Sequence, residues 1–227
     1  AVINSGSIDF WQLQPQRLLK KLEGVWSRAI NMAISPDGKS IVAAYRDGKA
    51  RVWSAIDQKI MHTFAVPSGE VESVTFSPNG KNIAVGATYG AIQIWDANKG
   101  ILEEIIDYNL YNLDLELYHF HIPSIIYSLD GTMLIAAIVW VGNDGKSYSN
   151  IVFMDSSSGE VIKGIPSGNW VYSLSLSPDG KLLASQESGS VRVFKVEEAL
   201  KSDGIGILFY SQNNAYPGSP ATIFSPD

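Results

Sequence analysis

Three histidines are the first residues to test for chemistry: His62, His119 and His121. His119 and His121 stand in Tyr118-His119-Phe120-His121, where an extended backbone puts both rings on one face. Two same-face imidazoles could begin a metal site, but no carboxylate stands at a recognisable ligand spacing to them. His62 lies in Lys59-Ile60-Met61-His62-Thr63-Phe64 and reads as a polar residue of an outer strand. Asn143-Asp144-Gly145 matches part of a calcium loop, yet the ligand series and the closing Glu are missing, so a hairpin turn is the better reading. Glu103 and Glu104 are adjacent, so a strand sends them to opposite faces and they cannot flank one substrate. There is no cysteine, no Gly-rich phosphate cradle and no Gly-x-Ser-x-Gly elbow. No catalytic set, metal site or cofactor is expected from these residues.

Charge narrows the partners. Seventeen Lys and Arg stand against 23 Asp and Glu, a formal net charge of −6, and no basic block occurs. A non-specific grip on nucleic acid or on an anionic membrane is therefore not expected. The longest apolar run, Met133 to Val141, is strand-sized and far from the ~20 residues of a membrane helix. The compartment is not encoded, with the cytoplasm as the default expectation.

The elements that must position any site repeat along the chain. Ser35-Pro36-Asp37-Gly38 recurs as Ser77-Pro78-Asn79-Gly80, Ser128-Leu129-Asp130-Gly131 and Ser177-Pro178-Asp179-Gly180, with a cut copy at Ser225-Pro226-Asp227. The intervals between the serines are 42, 51, 49 and 48 residues. A second comb, Trp11, Trp53, Trp95, Phe153 and Phe194, interleaves with it. Pro fixes φ for a turn, and Asp-Gly or Asn-Gly tolerates positive φ. Before each turn the chain alternates, as in Val71, Val74 and Phe76. After it comes a small-residue strand such as Ile41-Val42-Ala43-Ala44, then a hairpin such as Asp47-Gly48, then an alternating strand ending in the aromatic. A fourth strand follows. Four short strands in about 42 residues make one blade of a propeller.

Ser-Pro-Asp-Gly, a Leu/Ile-Ala strand and Ile-x-Ile-Trp-Asp resemble the WD40 repeat family, most cleanly from Ser77 to Asp96. The resemblance spans essentially the whole chain and implies an all-β WD40-like β-propeller of four-stranded antiparallel blades. It also implies a non-catalytic scaffold for protein partners. The family's Gly-His pair is missing: its positions hold Gly24-Val25, Val66-Pro67 and Pro166-Ser167. Its Asp between the second and third strands survives as Asp47 but is Tyr89 and Ser188 elsewhere. The family's buried His–Asp network is therefore expected to be lost.

With strands lettered a to d from the axis outward, blades are expected at about 29–65, 71–106, 122–165 and 171–210. A partial blade is expected over 1–23 and a lone inner strand over 221–225. The third of these blades, 122–165, is enlarged by residues before its inner strand and in its b–c hairpin around Trp140 to Tyr148. About four and a half to five blades are thus expected. The two ends either complete one blade, giving a five-bladed ring, or are cut from a larger ring of a longer chain. The second reading is favoured, because any slice of a continuous array has complementary ends.

The resemblance implies a partner on the face where the d–a and b–c loops emerge. The residue opening each inner strand there is Arg28, Glu70, His121 or Trp170, and the b–c hairpins add Arg46, Thr88 and Glu187. An exposed Trp beside Arg has hot-spot composition, although Trp170 could instead pack between blades and the charges could be plain rim residues. The insertion from Tyr108 through Tyr111 to Tyr118 alternates Tyr and Leu with Asn, Asp and Glu. It is read either as a partner-binding loop or as an extended inner strand. An axial small-molecule or glycan site, with Trp170 and His121 as its aromatic pair, is the competing expectation. A purely architectural role, with open edges pairing to another chain, is the third.

Overall fold

A computed structural model describes residues 2–4, 7–22, 25–66, 69–107, 120–142, 144–201 and 207–212. The insertion with Tyr108, Tyr111 and Tyr118, and the expected strand over 221–225, lie outside the described residues. The chain divides into two units, Ala1–Ile105 and Ile106–Asp227, and each is built from the same motif.

The first unit begins with β1 (Val2–Asn4), β2 (Ser7–Leu13) and β3 (Gln16–Leu22), an antiparallel three-stranded sheet. Next come β4 (Ala29–Ile34), β5 (Ser40–Tyr45), β6 (Lys49–Ser54) and β7 (Ile60–Ala65), hydrogen-bonded in that order. A second four-stranded sheet follows: β8 (Val71–Phe76), β9 (Asn82–Ala87), β10 (Ala91–Asp96) and β11 (Leu102–Asp107), whose last strand crosses the unit boundary. The second unit holds β12 (Phe120–Tyr127), β13 (Met133–Val141), β14 (Ser147–Asp155) and β15 (Val161–Ser167). Its other sheet is β16 (Val171–Leu176), β17 (Leu182–Glu187), β18 (Ser190–Lys195) and β19 (Ile207–Gln212). A short helix, α1 (Val196–Leu200), interrupts the last connection. The described residues are thus almost entirely antiparallel β structure, in one three-stranded and four meandering four-stranded sheets.

The Ser-Pro-Asp-Gly motif is one hydrogen-bonded device used four times. Ser35 Oγ donates to Asp37 Oδ1 at 2.7 Å and accepts the Ser40 N–H at 2.9 Å, while Asp37 Oδ1 accepts the Lys39 N–H at 3.0 Å. Gly38, Gly80, Gly131 and Gly180 all sit at φ between 70° and 75°, where a Cβ would be strained. Serine and acid together satisfy turn donors that would otherwise face the buried start of the next strand. The same contacts recur at Ser77–Asn79, Ser128–Asp130 and Ser177–Asp179.

Within each unit, sheet packs on sheet. In the first, Val42, Ala44, Val52 and Phe64 meet Val71, Val74, Ile83 and Val85. In the second, Ile135, Ile151 and Phe153 meet Val171, Leu174, Leu183 and Phe194. The second strands are buried on both faces (Ala43 and Ala44, Ala136 and Ala137 are all 0% exposed), which is why they carry small side chains. Every inner strand of these four sheets has a register shift, at Ala29/Asn31, Val71/Ser73, His121/Ser124 and Val171/Ser173. Two side chains exploit it. Asn31 Oδ1 accepts the Val74 N–H at 3.3 Å, and Ser124 Oγ accepts the Leu174 N–H at 3.0 Å. Each bond ties one inner strand to that of the next sheet in its unit.

The expected insertion around Trp140 to Tyr148 lengthens two strands and the hairpin that joins them. β13 and β14 are nine residues each, and Trp140 pairs with Tyr148. Their rings stack at 5.8 Å, and Tyr148 Oη donates to Asp144 Oδ2 at 2.8 Å. Asp144 also accepts the Lys146 N–H, so it organises a hairpin turn. Asn143 lies outside the described residues.

Candidate interaction face

At one end of three of the four-stranded sheets the backbone builds the same frame. The residue before the inner strand accepts a hydrogen bond from the residue after the second strand: Arg28 from the Arg46 N–H at 3.0 Å, Glu70 from the Thr88 N–H at 3.0 Å, Trp170 from the Ser188 N–H at 2.9 Å. The frame holds d–a loop and b–c hairpin together, and different side chains stand on it from sheet to sheet.

In the first unit, Arg28 and Arg46 are both exposed. Glu70 is exposed, and Thr88 is half-buried and accepts the Glu70 N–H on its Oγ1 at 2.8 Å. Thr88 opens a 3-10 turn, Thr88–Gly90, in which Tyr89 has φ 69° and a half-exposed ring. Three loops touch here. A Cβ added to Gly48 would lie 2.9 Å from the Gly69 carbonyl, and one added to Gly69 would lie 1.8 Å from Thr88 Oγ1 and 3.0 Å from the Tyr89 ring. Asp47 is taken up internally by Arg51, whose two guanidinium nitrogens lie 3.1 and 2.6 Å from its carboxylate oxygens. Arg51 holds the Asp47 carboxyl below its ordinary pKa, chiefly through those hydrogen bonds. Trp26, in the loop before β4, is fully exposed.

In the second unit, His121 and Trp170 come together. Their rings are 5.3 Å apart at 47°, and Tyr172 lies 6.3 Å beyond Trp170. Trp170 is half-buried between inner strands of adjacent sheets, so it packs and reaches solvent at once. His121 lies inside β12, paired with Val139, rather than before its strand, and Glu187 too is placed differently from the five residues on the frame. Glu187 is the last residue of β17, 4% exposed, and Ser188 occupies the position equivalent to Arg46 and Thr88. Its turn is one residue shorter than those of the first unit, which shifts the register. Its carboxylate accepts the Ser185 hydroxyl at 2.9 Å and forms a buried ion pair with Arg192 through both Nε and Nη2. Arg192 Nη1 also donates to the Pro166 carbonyl at 3.4 Å, and its guanidinium lies over the Phe194 ring.

The expected loss of a His–Asp network thus has local substitutes. Trp53 Nε1 donates to Tyr45 Oη at 3.2 Å, Trp95 Nε1 donates to Gln93 Oε1 at 3.1 Å, and the Glu187–Arg192 pair serves the last sheet. Sequence reasoning missed Trp26 and Tyr89. The signal for both was their place: an aromatic residue in a connection between strands has no strand neighbours to cover it. His62 donates from Nε2 to the Asn98 carbonyl at 2.9 Å on the outer strand β7. Among the described residues no group of three or more His, Asp or Glu is placed to hold a metal ion, and no helix is long and apolar enough to cross a membrane.

Repeating four-stranded sheets with these turns define a β-propeller. The family model described as WD domain, G-beta repeat matches residues 17–54, 58–96 and 159–195, about half of the chain. The chain belongs to the WD40 repeat family. No match falls between 97 and 158, the stretch with the long strands β13 and β14 and without the Pro of the turn motif. The β-propeller domain of Cps50 (Swd1) from Myceliophteria thermophila, a crystal structure, is similar with a TM-score of 0.74 at 16% identity. The match covers 92% of this chain and 67% of that one, and at this identity it establishes the fold alone. No curated protein matches the chain.

Proposed function

We propose that this propeller is a non-catalytic protein-interaction scaffold that engages its partner through the blade ends bearing the d–a and b–c loops. Propellers of this family generally serve as protein-interaction scaffolds. The observation that carries the reading is the repeated backbone frame with unrepeated side chains: Arg28 with Arg46, Glu70 with Thr88, Trp170 with Ser188. A rigid, regular frame holds varied polar and aromatic groups at low entropic cost, which suits recognition. Glu187 is left out because its carboxylate is buried.

The test is partner capture with the variant R28A/E70A/W170A, with folding followed by urea denaturation. Partner loss at retained cooperativity is the expected result. A folded variant that keeps every partner defeats the proposal. The competing axial ligand site rests on the His121–Trp170 pair, and stabilisation by a small molecule or glycan that W170A abolishes would favour it.

A further inference from the structure

Arg28 and Arg46 stand directly opposite each other, in continuation of the antiparallel register that pairs Ala29 with Tyr45. Like charges at such positions repel. Both side chains are exposed, and neither forms an ion pair among the described residues. The neighbouring acid Asp47 does not relieve them, because Arg51 already holds it in a bidentate pair. Among the described residues, the one other exposed carboxylate placed on this frame is Glu70, on the next sheet. Two exposed arginines with no ion pair among the described residues thus stand opposite each other on a chain whose net charge is −6. Two residues upstream on the same loop, Trp26 exposes its whole side chain.

We propose that Arg28, Arg46 and Trp26 form the docking site for an acidic segment of the partner protein. One Asp or Glu carboxylate of that segment bridges the two guanidinium groups, and a large apolar side chain next to it covers Trp26. This deepens the scaffold reading above and rests on it. The bridging carboxylate removes the Arg–Arg repulsion, so part of the binding energy is relief of a strain present in the free propeller. Covering Trp26 supplies the apolar part of the contact, of the kind that dominates hot spots.

The experiment is a fluorescence-anisotropy titration of the whole chain with short labelled peptides. One alternates Glu with Leu. The controls replace Glu by Gln, by Lys or by phosphoserine. The Glu–Leu peptide is expected to bind at least ~10-fold more tightly than the Gln peptide and to weaken steeply between about 50 and 500 mM salt. The charge-neutral variant R28Q/R46Q removes that preference while staying as stable as the parent or more so, and W26A weakens the Glu–Leu peptide about 5-fold. Equal binding of Glu and Gln peptides overturns the proposal, as does an unchanged preference in R28Q/R46Q or binding of the phosphoserine peptide alone. Should the peptides fail while R28A/E70A/W170A still loses its partner, the acidic-segment inference falls and the scaffold reading stands.

Discussion

Removing either member of the Glu187–Arg192 pair is the most informative perturbation of the fold. Their side chains are 2% and 8% exposed, and the pair is nearly cut off from water. At an effective dielectric near 20, two opposite charges about 4 Å apart attract by about 4 kcal/mol. Arg192→Met leaves the buried Glu187 carboxylate with the Ser185 hydroxyl, and Glu187→Leu leaves the guanidinium with the distant Pro166 carbonyl. Each single substitution should therefore destabilise by about 3–5 kcal/mol. Glu187→Leu with Arg192→Met removes both charges at once and should stay within about 2 kcal/mol of the parent. Urea unfolding followed by tryptophan fluorescence reads all three, with a shared slope as the sign of an unchanged transition. The exposed Lys201–Glu197 pair is the control, since its side chains are 66% and 84% exposed, and Lys201→Met should leave the urea midpoint essentially unchanged. A double variant whose loss equals the sum of the singles would refute the argument, because the two charges would then not depend on each other. The double variant should also keep its partners, which separates Glu187 as a fold residue from the exposed rim.

Asn31→Ala and Ser124→Ala each strand a strand N–H between sheets. Each should destabilise by about 1–3 kcal/mol and speed hydrogen exchange at Val74 or Leu174. Tyr89→Gly removes a side chain from φ 69°. It should stabilise by about 1 kcal/mol in thermal unfolding while weakening partner capture, the reverse of what a merely structural tyrosine would do. Asp155 is held at about 2, below its usual 3.8, first by the Ser157 hydroxyl and then by the Ser158 and Ser157 N–H groups. Hydrogen bonds from Ser177 and Lys181 lower Asp179 in the same sense. The unfolded chain then takes up these protons before the folded one does. Stability should hold above a pH of about 4 and fall as the pH drops toward 2, and Asp155→Asn should flatten that acid limb in a pH series of urea midpoints.

Fold and site were legible to different degrees. The turn motif was readable because its Ser, Asp and Gly act on neighbours within five residues, as the Ser35–Ser40 and Asp37–Lys39 bonds show. The aromatic comb was readable because Trp53 and Phe194 close strands of fixed length. The rim positions Arg28, Arg46, Glu70 and Thr88 followed from counting along that frame. Counting failed at Glu187, where one residue fewer in the turn moved a charged side chain from rim to interior. It also missed Trp26 and Tyr89, because exposure in a connecting loop depends on what the neighbouring loops leave uncovered.

The sequence by itself determined the periodic element order, the four-stranded unit and the turn chemistry, since all of these rest on contacts between residues close in the chain. Tertiary structure decided which polar groups face inward. Arg192 is satisfied by Glu187 and Pro166, and Val74 and Leu174 find their acceptors 43 and 50 residues away. Burial and pairing across sheets are properties of the packed arrangement. A residue's charge becomes a structural anchor or a free docking group only when its neighbours from other repeats are in place.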